Sequence, residues 1–462
     1  MKKSLTFTLI WTAAGLIGMS SCSKIFDVRP EGVLLIEEAL QTPEDFEKVL
    51  NSCYDVAANY YNGRIQMLND VLGDNVAPPI NNNDLNEVYL RRVNFFNGTT
   101  NGVYREPYRS IFRINFMIEN FGMVDMPVER RRTFEAEGRF LRALGHFEII
   151  RLWAQPYGYT VDNGHLGIRI QTQNTGTQLQ VRSTVKEGYD AILADLWYAK
   201  DNLPNTNGNY ATRFSAMAAL AKVYFQMNKF DSAAFYAGQV ISSGQFSLEG
   251  IDRFKMGPNT EAIFQTVSTQ TPTLIDGRSG AFTGNYRSDN NPNPTLRASK
   301  DFYNLISSRP NDTRLTFYEV RDQGLPTEFV AVAKFNKDIF SVPVLHLTDM
   351  MLIRAESLAE LSQNLPEAIN LINQIRERAF GDSSENLSSS ASALEIRDAA
   401  RLERRIEMFG EGDRAQDLKR RGAKGENIVV RGAPWNCPGM VLQFPASDIN
   451  ETFFGNPEGG CN

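Results

Sequence analysis

Two stretches of this chain carry the same helix–turn–helix pattern, and that duplication limits it to folds in which helix pairs stack on one another. The first, "RFSAMAALAKVYFQMNKFDSAAFYAGQVISSG", places Ala216, Leu220, Val223 and Met227 on one helical stripe, turns at "MNKFD", and continues with Ala233, Ala237 and Val240 at helical spacing. Small residues at 218, 219 and 221 allow close helix approach, and Asp231 is positioned to cap the second helix. The second, "LTDMMLIRAESLAELSQNLPEAINLINQIRERA", repeats the order, with Pro366 expected at N1 of its second helix and Ala368 where Ala233 stood.

With Tyr224, Phe230, Ala233 and Tyr236, the first copy resembles a tetratricopeptide unit. Copies so far apart require an interruption, and residues 245–340 provide it: they are poor in helical periodicity and rich in Gly, Pro, Asn and Thr, with one alternating run, "EAIFQTVS", that reads as a strand. Upstream, "EAEGRFLRALGHFEIIRLWA" presents Phe140, Leu144 and Phe147 as a stripe widened by Leu141, Ile150 and Trp153, with Arg139, Arg142, Glu148 and Arg151 largely off it. "STVKEGYDAILADLWYAKDNLP" supplies a partner helix, capped at Ser183 or Thr184 with Glu187 in its first turn. The expected fold class is mainly α: a tetratricopeptide-like helical repeat scaffold with long irregular loops and a few short strands.

The N-terminus reads as an export signal. Lys2 and Lys3 precede an apolar run from Leu5 to Met19, small residues follow, and Cys22 stands where cleavage falls in a bacterial lipoprotein, becoming the acylated first residue. An ordinary signal peptide with a chance cysteine is the alternative. The run is shorter than the roughly 20 apolar residues that span a bilayer. Cleavage before Cys22 removes two lysines, so the formal charge moves from −6 to −8, and an acidic chain with interspersed signs argues against a nucleic-acid partner. Of the three remaining cysteines, Cys53 reads as a buried thiol within a helix. Cys437 and Cys461 bracket a Pro/Gly-rich tail; a disulfide between them restricts that tail, and two unpaired thiols are the alternative.

Catalytic constellations are absent from the sequence: there is no Gly-rich phosphate loop, H-E-x-x-H, G-x-S-x-G or paired C-x-x-C. The three histidines, His146, His165 and His346, read as a helix-face or core residue, a turn residue and a helix-junction residue. Neither a metal nor a cofactor is expected. "RLERRIEMFGEGDRAQDLKRRG" interleaves acids and arginines at helical spacing, the pattern of an ion-pair network between helices; Glu407 and Asp417 as a catalytic acid pair is the sharper alternative.

Taken in order, "CSKIFDVRPEG", "YREPYRSIFRINFMIEN", "EAEGRFLRALGHFEIIRLW", "RSTVKEGYDAILADL", "NTEAIFQT", "VLHLTDMMLIRAESLAEL", "ERRIEMFGEGDRAQDLKRRG" and "FPASDINETFFGNP" resemble the SusD/RagB nutrient-binding outer-membrane lipoproteins from Cys22 to the end of the chain. The resemblance implies a lipoprotein signal peptide at 1–21 and one SusD/RagB-like domain at 22–462, with a helical part to about 245, a loop-rich insertion at about 245–340 and a C-terminal helical part and tail at about 341–462. It also implies a cell-surface, lipid-anchored, outer-membrane location, a non-enzymatic role, a glycan or peptide ligand and a SusC-like TonB-dependent transporter as partner. A surface glycoside hydrolase or lyase and a protein-binding tetratricopeptide adaptor are the competing readings. Ligand contacts are expected from the long polar loops at 73–100 and 281–290, at Asp74, Asn75, Asn82, Tyr89, Phe282, Asn285 and Tyr286. Neither loop contains tryptophan, a departure from the family's aromatic arc that points away from a starch-like helical glycan.

Overall fold

The computed structural model describes residues 39–174, 181–271 and 273–461; the signal segment and Cys22 lie outside them. Helices α1 (Pro43–Tyr61), α2 (Arg64–Leu72), α3 (Asn83–Tyr89), α4 (Gly98–Glu119), α5 (Val128–Trp153) and α6 (Val185–Asn202) form the first part. The first repeat is α7 (Arg213–Gln226) with α8 (Phe230–Ser242), and the second is α11 (Leu347–Leu361) with α12 (Leu365–Phe380). Between the repeats lie β1 (Ala262–Thr266), β2 (Thr269–Gln270), β3 (Ile275–Asp276), α9 (Gly280–Tyr286), α10 (Lys300–Ser307), β4 (Tyr318–Arg321), β5 (Phe329–Val332) and β6 (Val342–His346). Helices α13 (Ala393–Glu407) and α14 (Arg414–Ala423), followed by β7 (Val429–Val430) and β8 (Ala433–Pro434), complete the chain.

Each helix of the stack packs on the next: α5 on α6, α6 on α7, α7 on α8, α8 on α11, and α11 on both α12 and α13. The two repeats are therefore neighbours in space, with the insertion looped out between them. Small residues make the junction possible. Ala233 and Ala237 are fully buried, and a Cβ added to Gly238 would lie 2.2 Å from the Arg354 guanidinium, which donates to Ala234 O at 2.6 Å. The insertion is closed at its base, because β1 pairs antiparallel with β6 from Ala262 opposite His346 to Thr266 opposite Val342.

Local chemistry sets the helix ends. Thr184 forms a capping box with Glu187, as its sequence suggests. Asp231 does not cap: α8 starts one residue earlier, behind Lys229, so Asp231 sits in its first turn, where a carboxylate favours the helix dipole. Pro366 likewise falls second in α12, behind Leu365, where its missing N–H costs no helix bond. His346 caps α11, its Nδ1 accepting from the Asp349 N–H at 3.2 Å, and His146 is buried, Nε2 accepting from the Gln171 N–H at 3.2 Å.

Charge in this fold is internal to an unusual degree. Helix α5 is buried on all sides over its second half, and Arg142, Glu148 and Arg151, which lie off its apolar stripe, are buried too: Arg142 donates to both oxygens of Asp195 at 2.7 Å, and Arg151 pairs with Glu148. A larger network joins the insertion to α13. Arg314 binds Asp312, Glu403 at 2.8 Å and Glu407 at 2.7 Å; Arg253 binds Glu261, Glu407 and Glu411; Lys334 donates to Glu411 at 2.8 Å and to Phe409 O at 2.8 Å. Burial alone pushes the Glu407 carboxyl up, but Arg378, Arg253 and Arg314 outweigh it and hold it well below the usual carboxylate range. Glu407 thus has every oxygen committed to a guanidinium, and Asp417 is held by Arg420 at 2.8 Å; both serve the ion-pair network.

Candidate functional site

The two loops expected to carry function come together. Ala77 N donates to Arg297 O at 2.9 Å, Ile80 N to Thr295 O at 3.1 Å and Ser299 N to Asn75 O at 2.8 Å, so residues 73–82 lie along 285–299 as one ledge. Most of the side chains expected to contact ligand are already occupied there. Asp74 takes a bidentate bond from Arg414 at 2.6 and 2.9 Å, and buried Asn75 accepts from Arg405 Nε at 2.8 Å. Asn82 caps α3 by accepting from Leu85 N at 2.9 Å, and Asn285 donates to Ala281 O at 2.8 Å. Tyr89 carries the Arg431 guanidinium 3.8 Å above its ring.

The aromatic expectation needs correction. Phe282 is 1% and Tyr286 0% exposed, so neither ring can face a ligand. Residues 280–286 are helical, and positions 282 and 286 share its inner face. Phe282 lies 4.7 Å from Phe335, and the Tyr286 hydroxyl donates to Asp70 Oδ2 at 3.0 Å. The helix is seated tightly against the turn after α1: Ala281 N and Phe282 N both donate to Asn62 O, and at Gly63, with φ +115°, a Cβ would meet Phe282 N at 2.6 Å. Asn81, Asn290 and Asn293 are among the ledge residues left exposed, with Asn83 just beyond it at the start of α3.

The open aromatic in this region is one the sequence reading passed over. Phe96 is 80% exposed, at the rim of a cleft of about 530 Å³ lined by Phe95, Arg91, Gln443, Asn456 and Glu458. Its available signal was the pair of rings between asparagines in "NFFN". The loop is firmly held: Asn94 Nδ2 donates to Glu87 Oε1 at 2.6 Å, Phe96 N to Asn94 Oδ1 at 2.7 Å, Asn97 Nδ2 to Glu87 Oε2 at 2.9 Å and Asn101 Nδ2 to Phe95 O at 2.9 Å. The opposite wall is the C-terminal tail, closed by the Cys437–Cys461 disulfide and pinned to α5 through Trp153 Nε1 donating to Gln443 O at 3.0 Å. At Gly439 a Cβ would fall 2.1 Å from Arg91 O, so only glycine lets tail and loop approach this closely. A rigid open ring beside amide and carboxylate groups can stack on an apolar face while bonding hydroxyls around it.

Two family models match the chain: one described as "Starch-binding associating with outer membrane" over residues 26–225, and one described as the SusD family over residues 332–433, together about two-thirds of the sequence. The chain belongs to the SusD/RagB family. Membership places it among binding proteins rather than enzymes, in a family associated with the outer membrane. A SusD-like protein of Formosa agariphila is 26% identical, with 90% of this chain and 91% of the relative covered; a second from the same organism is 24% identical, with 87% of each covered. Among solved structures, a SusD superfamily protein from Bacteroides thetaiotaomicron superposes with a TM-score of 0.78 at 22% identity, over 90% of this chain and 100% of that one. A laminarin-binding SusD-like protein gives 0.71 at 19% identity, over 90% and 100%. These SusD-like structures share the mainly helical fold. No helix among the described residues is long and apolar enough to cross a membrane.

Proposed function

We propose that this SusD/RagB protein is a cell-surface capture protein for an oligosaccharide, anchored through a lipid on Cys22 and working with a SusC-like TonB-dependent transporter. The observation that carries the reading is the match to SusD family models at both ends of the chain. The laminarin-binding neighbour supports a glycan as ligand class, and Phe96 with its cleft, which follows the amide ledge in sequence beyond α3, is the proposed receiving surface. The mechanism is capture and handover: ligand that touches both proteins favours the closed arrangement in proportion to its extra affinity for that state, and no bond is made or broken in the ligand.

Affinity purification of the tagged protein from membranes in mild detergent tests the partnership. A large TonB-dependent barrel recovered in near-equal amount is the expected result, and a membrane-bound protein recovered without one would sink it. Cys22→Ala is expected to release the protein from the membrane; retained anchoring would refute the lipid.

A further inference from the structure

A second groove system lies on another part of the surface and shares no lining residue with the Phe96 cleft. It is organised by Tyr210, which stands 41% exposed at the end of the segment "NTNGNY" and borders three adjoining clefts of about 280, 220 and 390 Å³. Asn51, Asn207 and Asn209 each line two of the three, so the clefts run into one another around the tyrosine. Beneath it, Tyr54 packs at 4.9 Å with its ring plane inclined by 60°, which gives the groove an angled aromatic wall.

This arrangement is built from the core outward. The Tyr54 hydroxyl accepts from Ala211 N at 3.0 Å and donates to the buried carboxyl of Glu137, while Asn207 Nδ2 donates to Ala211 O at 3.0 Å and Tyr210 N to Asn207 O at 3.0 Å. The loop bearing Tyr210 is therefore tied to α1 and α5, and the ring is presented in a set position. Across the groove, Arg278 is neutralised by Asp55 at 2.5 Å and Asp276 at 2.6 Å. Two polar atoms of the lining are left over: Thr266 Oγ1, on a residue 6% exposed, and Gln265 Oε1 are buried with no hydrogen-bond partner among the described residues. Buried polar atoms are nearly always satisfied, so this wall holds hydrogen-bonding capacity that the described residues leave unused.

We propose that this groove is a second binding site, for a neutral oligosaccharide chain that lays a pyranose face on Tyr210 and turns its hydroxyls toward Asn51, Asn209, Gln265 and Thr266. Aromatic faces take the C–H face of a sugar, and amides both donate to and accept from neighbouring hydroxyls. Charge pairing within the wall disfavours an ionic ligand. The ligand class rests on the proposed function; the residues and the location do not.

Hydroxyl-radical footprinting of the mature protein locates the binding, with laminarihexaose, maltohexaose, cellohexaose and xylohexaose as probes and calorimetry as the binding readout. The expected result is at least threefold protection of Tyr210 by one of these saccharides, with calorimetric binding of that saccharide weakened at least threefold in Tyr210→Ala and kept in Tyr210→Phe, which retains the ring. Protection of Tyr210 that persists in Phe96→Ala establishes the groove as a separate site. If a saccharide binds and protects Phe96 while Tyr210 reacts at its free rate, the groove is not a site and the proposed function stands. If none of the four binds, both readings fall. Protection of Tyr210 by a tryptic casein digest and by none of the saccharides overturns the ligand class.

Discussion

The Asp70 carboxyl accepts from the Tyr286 hydroxyl at 3.0 Å in a fully buried setting, and burial pushes its pKa up to about 8. In the unfolded chain the same group ionises near pH ~4. Across the window between, the folded protein holds a proton that the unfolded chain has released, so this group's contribution falls as pH rises. Asp70→Asn keeps the shape and removes that dependence. Its stability relative to the parent, from urea unfolding, is expected to be unchanged or lower at pH 4 and to climb by ~2–5 kcal/mol toward pH 8. Cys53 is fully buried, and burial pushes its thiol up to about 12. It should ignore a thiol reagent in the native protein and yield one free thiol in denaturant without reductant. Phe96 is the opposite case: at 80% exposed its ring gives little to the fold, so Phe96→Ala is expected to keep Tm within about 1 °C while weakening glycan binding tenfold or more. At this scale the sequence is least legible, because residue type does not say whether a side chain is already occupied. Asn82 and a ligand-binding asparagine look alike until the Leu85 N–H is seen to be its partner.

Legibility improves at the scale of elements wherever an apolar stripe persists for three turns or more. Helices α5 through α8, α11 and α12 could be read in this way, down to the Thr184 cap. Helix α9 could not: seven residues containing two glycines give less than two turns of pattern, and Phe282 and Tyr286 read as loop aromatics. The same limit hid the Tyr210 groove, whose residues come from six separate stretches of chain. Helix α13 illustrates the reverse, since its mixed charges announced a network although its partners, Arg253 and Arg314, lie far upstream. Glu407→Ala would leave Arg253, Arg314 and Arg378 short of a counter-charge in the interior, and a loss of about 3–5 kcal/mol in chemical denaturation is expected. A loss below about 1 kcal/mol would show the network to be weakly coupled.

For the molecule as a whole, the repeated helix–turn–helix implied stacking but not that the stack would run unbroken past the insertion; the β1–β6 pairing at the insertion's base is what permits it. The tail is a separate matter of closure. The Cys437–Cys461 disulfide spans 24 residues of sequence, a loop for which the chain-entropy account gives about 3.5 kcal/mol. Cys461→Ser is expected to expose the tail beyond Pro438 to proteolysis well before the helical stack yields, read by mass spectrometry of a limited digest.

The network joining Arg253, Arg314 and Lys334 to Glu403, Glu407 and Glu411 also bears on how the molecule is made. Arg253 and Arg314 have acids close by in sequence, Glu261 and Asp312, but the glutamates that complete their pairing, and the one that pairs Lys334, emerge from the ribosome some seventy or more residues later. A nascent chain that stops short of Glu403 therefore carries Lys334 without its glutamate and two arginines only partly paired, so the insertion takes its seat on α13 late. The order of synthesis thus leaves the insertion to settle last, after the stack of helices that flanks it.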